Sequence, residues 1–325
     1  MSETTIETQA PAGYNAALEG CAYYRLPAPG YVLLGGETRR DYLQRQTSND
    51  IGLLNEQHAL PNALTGPTGR ILEYFICMQV DDGIALLTPQ GHGAGLAAYF
   101  AKRIFFNDQV SVADQSGEWA HYELHGPQAG DALAALGFAK LPKRNAVATR
   151  EWQGHQIQAI GIRGLGGERG WRLVLPASAI EHLNAALEAA GAISLSAEAA
   201  KILRIEAGRP GLGELNGDYT PFELGLAEIV SATKGCYTGQ EVLARQVTYD
   251  KITRQLARLA CDALAEPGTG VLHDGKRAGV LTSVAHSPRM GPIALAVLRK
   301  PAHGTGTTLK LDMPAGAGAE VLGPP

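Results

Sequence analysis

The 325-residue chain has room for two or three domains of ordinary size. Its 28 Lys and Arg against 32 Asp and Glu give a formal charge of −4, which excludes the basic footprint of a dedicated nucleic-acid binder. Apolar residues make up 45% but aromatics only 6%, so the cores are built of Ala, Val, Leu and Ile, and 40 glycines with 18 prolines imply many turns.

Met1 to Gln9 has neither a basic n-region nor an apolar h-region, so no secretory signal is expected. No run approaches the roughly 18 apolar residues of a membrane span. Residues 1–20 are poor in large apolar side chains and are expected to form a flexible tail. Tyr31 to Leu34 reads as a strand, and Gly35-Gly36 turns into a helix from Glu37 to Gln46 that buries Tyr42 and Leu43. Ser48-Asn49-Asp50 stops it. Ile71 to Val80 is a strand, Asp81-Asp82-Gly83 a hairpin turn, and Ile84 to Leu87 the return. A helix from His92 to Arg103, a strand from Trp119 to His125 and an Ala-rich helix from Gln128 to Leu136 follow.

His155 to Ile162 and Trp171 to Leu175 are strands around a Gly-rich turn. No helix follows that turn, so it is not a phosphate cradle. Ser178 to Ala190 is an amphipathic helix closed by Gly191, and Ser196 caps another that runs to Ala207 and ends at Gly208. Beyond about Thr248, Leu256 to Cys261, Gly279 to Ala285, Ile293 to Leu298 and Thr308 to Leu311 are short strands between turn signals. That spacing predicts a small antiparallel barrel or sandwich. The expected divisions are a tail over 1–20, an α+β region over 21–245 and a β domain over 246–325.

Cys21, Cys77, Cys236 and Cys261 form no C-x-x-C pair, which fits reduced thiols in a cytoplasm. His121 and His125 fall in one strand, on the same side but too far apart to share an ion, and no metal site is assigned. The most unusual segment is Lys234 to Glu241, K-G-C-Y-T-G-Q-E. Cys236 sits beside a lysine and before a helix-like run, which favours a thiolate; equally, it could be a small buried hydrophobe in a tight turn. Glu206 stands in the last turn of its helix, the unfavourable end for a carboxylate. Its partner would be Arg204, Arg209, or a ligand with two parallel N–H donors such as a 2-amino-4-oxo-pteridine, unless it is a solvated surface group.

Lys234 to Glu241 resembles the signature of the folate-binding YgfZ family, which is related to the glycine-cleavage aminomethyltransferase, or T-protein. Leu43 to Asp50 (L-Q-R-Q-T-S-N-D), Gly69 to Ile76 (G-R-I-L-E-Y-F-I), Arg204 to Pro210 (R-I-E-A-G-R-P), Thr220 to Leu226 (T-P-F-E-L-G-L) and Ala244 to Gln246 follow the family's order. The resemblance spans roughly Tyr31 to Leu298. It implies an α+β, aminomethyltransferase-like fold of three modules around a central cavity: two intertwined α+β modules and a C-terminal β-barrel. It implies tetrahydrofolate in that cavity, with Glu206 on the pteridine, Arg245 on the glutamate tail, and Lys234, Glu73 and Asn49 as further binding residues. Cys236 matches the signature thiol.

The family's implied role is the assembly or repair of iron–sulfur clusters in client enzymes, including tRNA-modifying ones, with no direct nucleic-acid or membrane contact. Where the T-protein has two adjacent acids, this chain has Leu72-Glu73. One acid is lost and the other lengthened, which moves the carboxylate needed for aminomethyl transfer. A folate-dependent aminomethyltransferase or demethylase is the alternative, and a non-enzymatic scaffold a third. The reading expects Cys236 and Glu206 to converge on one pterin-sized hollow.

Overall fold

The computed structural model describes residues 10–81, 83–167, 169–314 and 316–325. In chain order come α1 (Tyr14–Glu19), β1 (Ala22–Arg25), β2 (Pro29–Gly35), α2 (Arg39–Gln46), β3 (Leu60–Thr65), β4 (Ile71–Val80), β5 (Gly83–Gln90), α3 (Gly93–Ala101) and β6 (Ser111–Asp114). Next are β7 (Trp119–His125), α4 (Ala129–Ala135), β8 (Val147–Trp152), β9 (His155–Ile162), β10 (Gly170–Pro176), α5 (Ile180–Ala189), β11 (Ile193–Ser194), α6 (Ala197–Glu206) and α7 (Gln240–Thr248). The last six strands are β12 (Arg254–Cys261), β13 (Gly270–His273), β14 (Lys276–Ser287), β15 (Gly291–Arg299), β16 (Thr308–Leu311) and β17 (Gly318–Gly323).

Two sheets and a barrel result. The first sheet has the order β3-β4-β5-β2-β6, the second β11-β1-β7-β10-β9-β8, and β12-β15-β14-β13-β16-β17 closes on itself. Only β1 and β11 pair in parallel; the other pairings are antiparallel. The two-residue period of a strand decides what each sheet buries. On β4, Phe75 and Cys77 pack with Tyr42, Leu43 and Phe100 of the helices α2 and α3. Ile76 and Met78 face the other way, onto Ile160 and Val174 of the second sheet. On β7 and β10, Tyr122, Leu124, Trp171, Leu173 and Leu175 pack with Leu133, Leu183 and Leu187 of α4 and α5. The two sheets therefore stack face to face, each with its helices outside.

The six-stranded barrel supplies two strands, β13 and β17, that the pattern did not predict. Each is short and carries only a pair of large apolar residues. As predicted, Ser196 caps α6, its hydroxyl accepting from the Ala199 N–H at 3.1 Å, and Gly208 follows with φ 72°.

The expected tail over residues 1–20 is corrected from residue 14 onward. Tyr14–Glu19 is a helix, and Tyr14 and Ala17 are buried against Leu195, Ala199 and Leu203 of the α6 region. Six residues are too few to show a helical stripe; two inward side chains hold them. Met1 to Gln9 lies outside the described residues. Tyr14→Ala should therefore lower the unfolding free energy by about 3–5 kcal/mol, the usual loss for a large aromatic in a core. Urea denaturation checks this, and an unchanged midpoint would restore the tail.

Candidate functional site

The signature loop is pinned at both ends and open in the middle. Lys234 is buried, and its Nζ donates to the Thr47 carbonyl at 2.6 Å and the Asn49 carbonyl at 2.7 Å. Those carbonyls lie just past the end of α2, where the helix dipole favours a cation. Tyr237 is buried, and the Thr65 hydroxyl donates to the Thr238 carbonyl at 2.6 Å. Gly239 precedes α7 with φ 85°, and a Cβ there would stand 2.4 Å from the Gly66 carbonyl, so the close approach requires glycine. Between these anchors Cys236 is exposed, which answers the alternative of a buried hydrophobe.

Asn49 joins the same clamp. Its Nδ2 donates to the Pro61 and Glu228 carbonyls, each at 2.8 Å. The structure thus brings Lys234 and Asn49 together, but commits both to holding loops. Arg245 lies on the exposed side of α7 and pairs with Glu241 at 2.6 Å. Glu73 faces α3, and its carboxylate meets His92 Nδ1 at 2.7 Å. Burial pushes the Glu73 carboxyl up, and His92 offsets this in part.

Glu206 ends α6 as expected, but neither Arg204 nor Arg209 is its partner. Its Oε1 accepts from the Tyr14 hydroxyl at 2.5 Å and the Ser287 hydroxyl at 2.6 Å, and Oε2 accepts from Arg289 Nη2. Those donors come from α1 and from the end of β14, so no predicted site residue contacts Glu206. None of these donors belongs to the clamp that Lys234 makes with the Thr47 and Asn49 carbonyls. With three donors already in place, this carboxylate is an anchor between α6, α1 and the barrel.

The charged residues at the junction of the two sheets went unpredicted. Tyr24, Glu123, Arg172 and Ile160 stand in one cross-strand row on the inward face of the second sheet. Glu123 accepts from Arg172 Nη2 at 2.6 Å and from both terminal nitrogens of Arg209 at 2.7 and 2.8 Å. Burial alone would push the Glu123 carboxyl up, but the two guanidiniums outweigh it and hold the group well below the usual carboxylate range. Tyr74 comes in from the first sheet; burial pushes its hydroxyl up, and the charges of Arg172 and Arg209 offset this in part. Tyr24, Tyr74 and Arg209 lie between packed modules yet stay partly exposed. The readable signal was the polar inward alternation His121, Glu123, His125 against Tyr122 and Leu124. A separate hollow of about 460 Å³, lined by Arg25, Pro27, Trp119 and Ile180 among others, contains no predicted site residue.

Two outcomes follow from these environments. Alkylation with iodoacetamide should modify Cys236 first. Cys21 and Cys77 should stay protected until unfolding, because burial removes access and pushes their thiols up to about 11 and about 12. Burial also lowers Lys234 to about 8 from 10.5. Between those values the unfolded chain binds a proton that the folded chain has released, so this group adds stability as pH rises. The wild type should accordingly gain on Lys234→Met by at most about 3 kcal/mol between pH 8 and 10.5. Denaturant titrations of both proteins across that range check it.

The chain matches the model of the GCVT N-terminal domain over residues 13–234 and that of the glycine cleavage T-protein C-terminal barrel domain over residues 254–325. It is 28% identical over 284 residues to a chloroplastic protein of Arabidopsis thaliana that carries a provisional transferase name, covering 86% of this chain and 66% of that one. It is 28% identical over 320 residues to an aminomethyltransferase of Cutibacterium acnes, covering 93% and 85% of the two chains. Glycine cleavage system aminomethyltransferase T of Bartonella henselae superposes with a TM-score of 0.82 at 20% identity, over 95% of this chain and 87% of that one, and shows the fold to be aminomethyltransferase-like. Matched by both domain models, the chain belongs to the family of the glycine cleavage T-protein.

Proposed function

We propose that the protein is a tetrahydrofolate-binding factor of the YgfZ kind that supports assembly or repair of iron–sulfur clusters in client enzymes, tRNA-modifying ones among them, in the cytoplasm. The observation that carries this is the contrast between its thiol and its acids. Cys236 is presented to solvent by a loop clamped on both sides. The acids that could serve aminomethyl transfer are turned elsewhere. Glu73 is bound to His92, and Asp50 accepts from Gln44 Nε2 and from the Gly52 N–H. Glu123 does reach the junction, but two guanidiniums keep it ionised, and a carboxylate held so low is a poor proton carrier near neutrality.

The residues present fit a reduced folate at the junction better than at Glu206. Tyr24 and Tyr74 offer partly open aromatic surfaces to a planar ring, and Arg172 and Arg209 offer donors beside them. Glu206 could take a pteridine only by releasing Tyr14, Ser287 or Arg289. A bound reduced folate supplies a one-carbon carrier. A cluster is cargo in this reading. Among the described residues no group of three or more His, Cys, Asp or Glu is placed to hold a metal ion, so Cys236 would share a cluster with ligands of the client.

Two measurements test the proposal. Tetrahydrofolate titrated into the purified protein should bind, and Cys236→Ala should leave that binding intact. Cells carrying Cys236→Ala should lose cluster-enzyme activity several-fold. Normal activity would remove Cys236 from the function, and turnover of an aminomethyl donor by the purified protein would favour the transferase reading instead.

A further inference from the structure

We propose that the junction of the two sheets contains a carboxylate-binding subsite formed by Arg172 and Arg209. The inference deepens the folate reading of this junction and rests on it only for the identity of one ligand. Its foundation is a count of charge. Two guanidiniums face one carboxylate, Glu123, whose side chain is 5% exposed; those of Arg172 and Arg209 are 9% and 29% exposed. The next ion pair, Arg144 with Glu228, is balanced within itself. A proton on His125 would only add to the excess. Among the described residues one positive charge is therefore left uncompensated, an arrangement that is expensive unless an anion balances it.

The same face holds unused hydrogen-bonding capacity. Among the described residues the Nε–H of Arg172 meets no acceptor, and both ring nitrogens of His121 and Oε1 of Gln158 are also without partners, while Nε2 of His125 stands 3.3 Å from Glu123 Oε2. By register all of these stand on the inward side of β7, β9 and β10, around the Glu123–Arg172 row. Buried polar atoms are normally paired, and four orphans on one sheet face mark a place built to meet something more. A carboxylate suits it better than a phosphate. One negative charge cancels the excess, whereas a phosphate dianion would leave a buried negative charge in its place. A planar two-oxygen acceptor also matches a guanidinium edge.

Two sources share this chemistry: the glutamyl tail of a folate and a separate small carboxylate. p-Aminobenzoylglutamate probes the first and acetate the second, each followed by calorimetric titration and by melting temperature against chloride at equal ionic strength. Wild type should be stabilised by at least one of them. Arg209→Gln brings the local charge to zero and should weaken that binding tenfold or more, while Arg209→Lys, which keeps the charge but not the planar fork, should fall between the two. Stabilisation of Arg209→Gln equal to wild type would overturn the subsite. So would the failure of both probes to act on the wild type, a result that needs no variant to fold. If both proteins bind tetrahydrofolate equally and acetate equally, the subsite falls and the folate reading stands. Acetate binding by a wild type that ignores tetrahydrofolate means the reverse.

Discussion

The docking of α6 on the second sheet turns on one buried carboxylate, Glu123, held between two guanidiniums. A charge taken out of water is tolerated only with close partners, and here the partners come from different parts of the chain. Arg172 is its cross-strand neighbour on β10, and Arg209 arrives from the segment after α6. The ion cluster thus ties the end of α6 to the inner face of the second sheet. Two residues on the other side of that helix end complete the hub. Glu206 anchors to α1 and the barrel through Tyr14, Ser287 and Arg289, and Arg204 reaches Glu214 at 3.2 Å and the Ser283 hydroxyl at 2.8 Å. Arg204, Glu206 and Arg209 are near neighbours in sequence, yet each docks to a different surface.

That hub explains why the sequence pointed to the right segment and the wrong contact. Helix-end position and the macrodipole argument say that Glu206 needs a compensating group, and it has three donors. They cannot say which of several arginines provides it. Arg289 is 83 residues away in sequence, and the contact exists only because β14 closes the barrel beside α6. The pairing of Arg209 with Glu123 is similarly long in range. Strand periodicity, caps and glycine stops were legible because each is a local rule, as the Ser196 cap and the opposite faces of β4 show. The junction was not, since its members lie on β1, β4, β7, β10 and the turn after α6.

α1 was missed for a related physical reason. A six-residue helix has no periodicity to detect, and its order is conferred by what Tyr14 and Ala17 touch. In the signature loop the opposite held. The motif was conspicuous, and its exposed thiol is where the motif is open. Its lysine reads as a cation set beside the cysteine to favour a thiolate. In the fold that cation is turned inward, onto two carbonyls after α2. Lys234 therefore secures the loop that displays Cys236.

The junction and the thiol are separate, and one strand serves both. The turn before β4 supports the signature loop, since Gly69 lies against Gly239 and Leu243. Five residues further on, Tyr74 enters the junction beside Arg172 and Arg209. Between them Ile71 donates its N–H to the Tyr219 carbonyl at 2.9 Å, which fixes β4 against the loop that also carries Glu223. Glu223 accepts from Arg254 at 2.8 Å at the start of the barrel. A ligand at the junction and a partner at Cys236 would thus press on the same rigid element from its two ends. Between the two ends Leu72 is exposed, and Glu73 points to the opposite face of the strand, where it meets His92 at 2.7 Å.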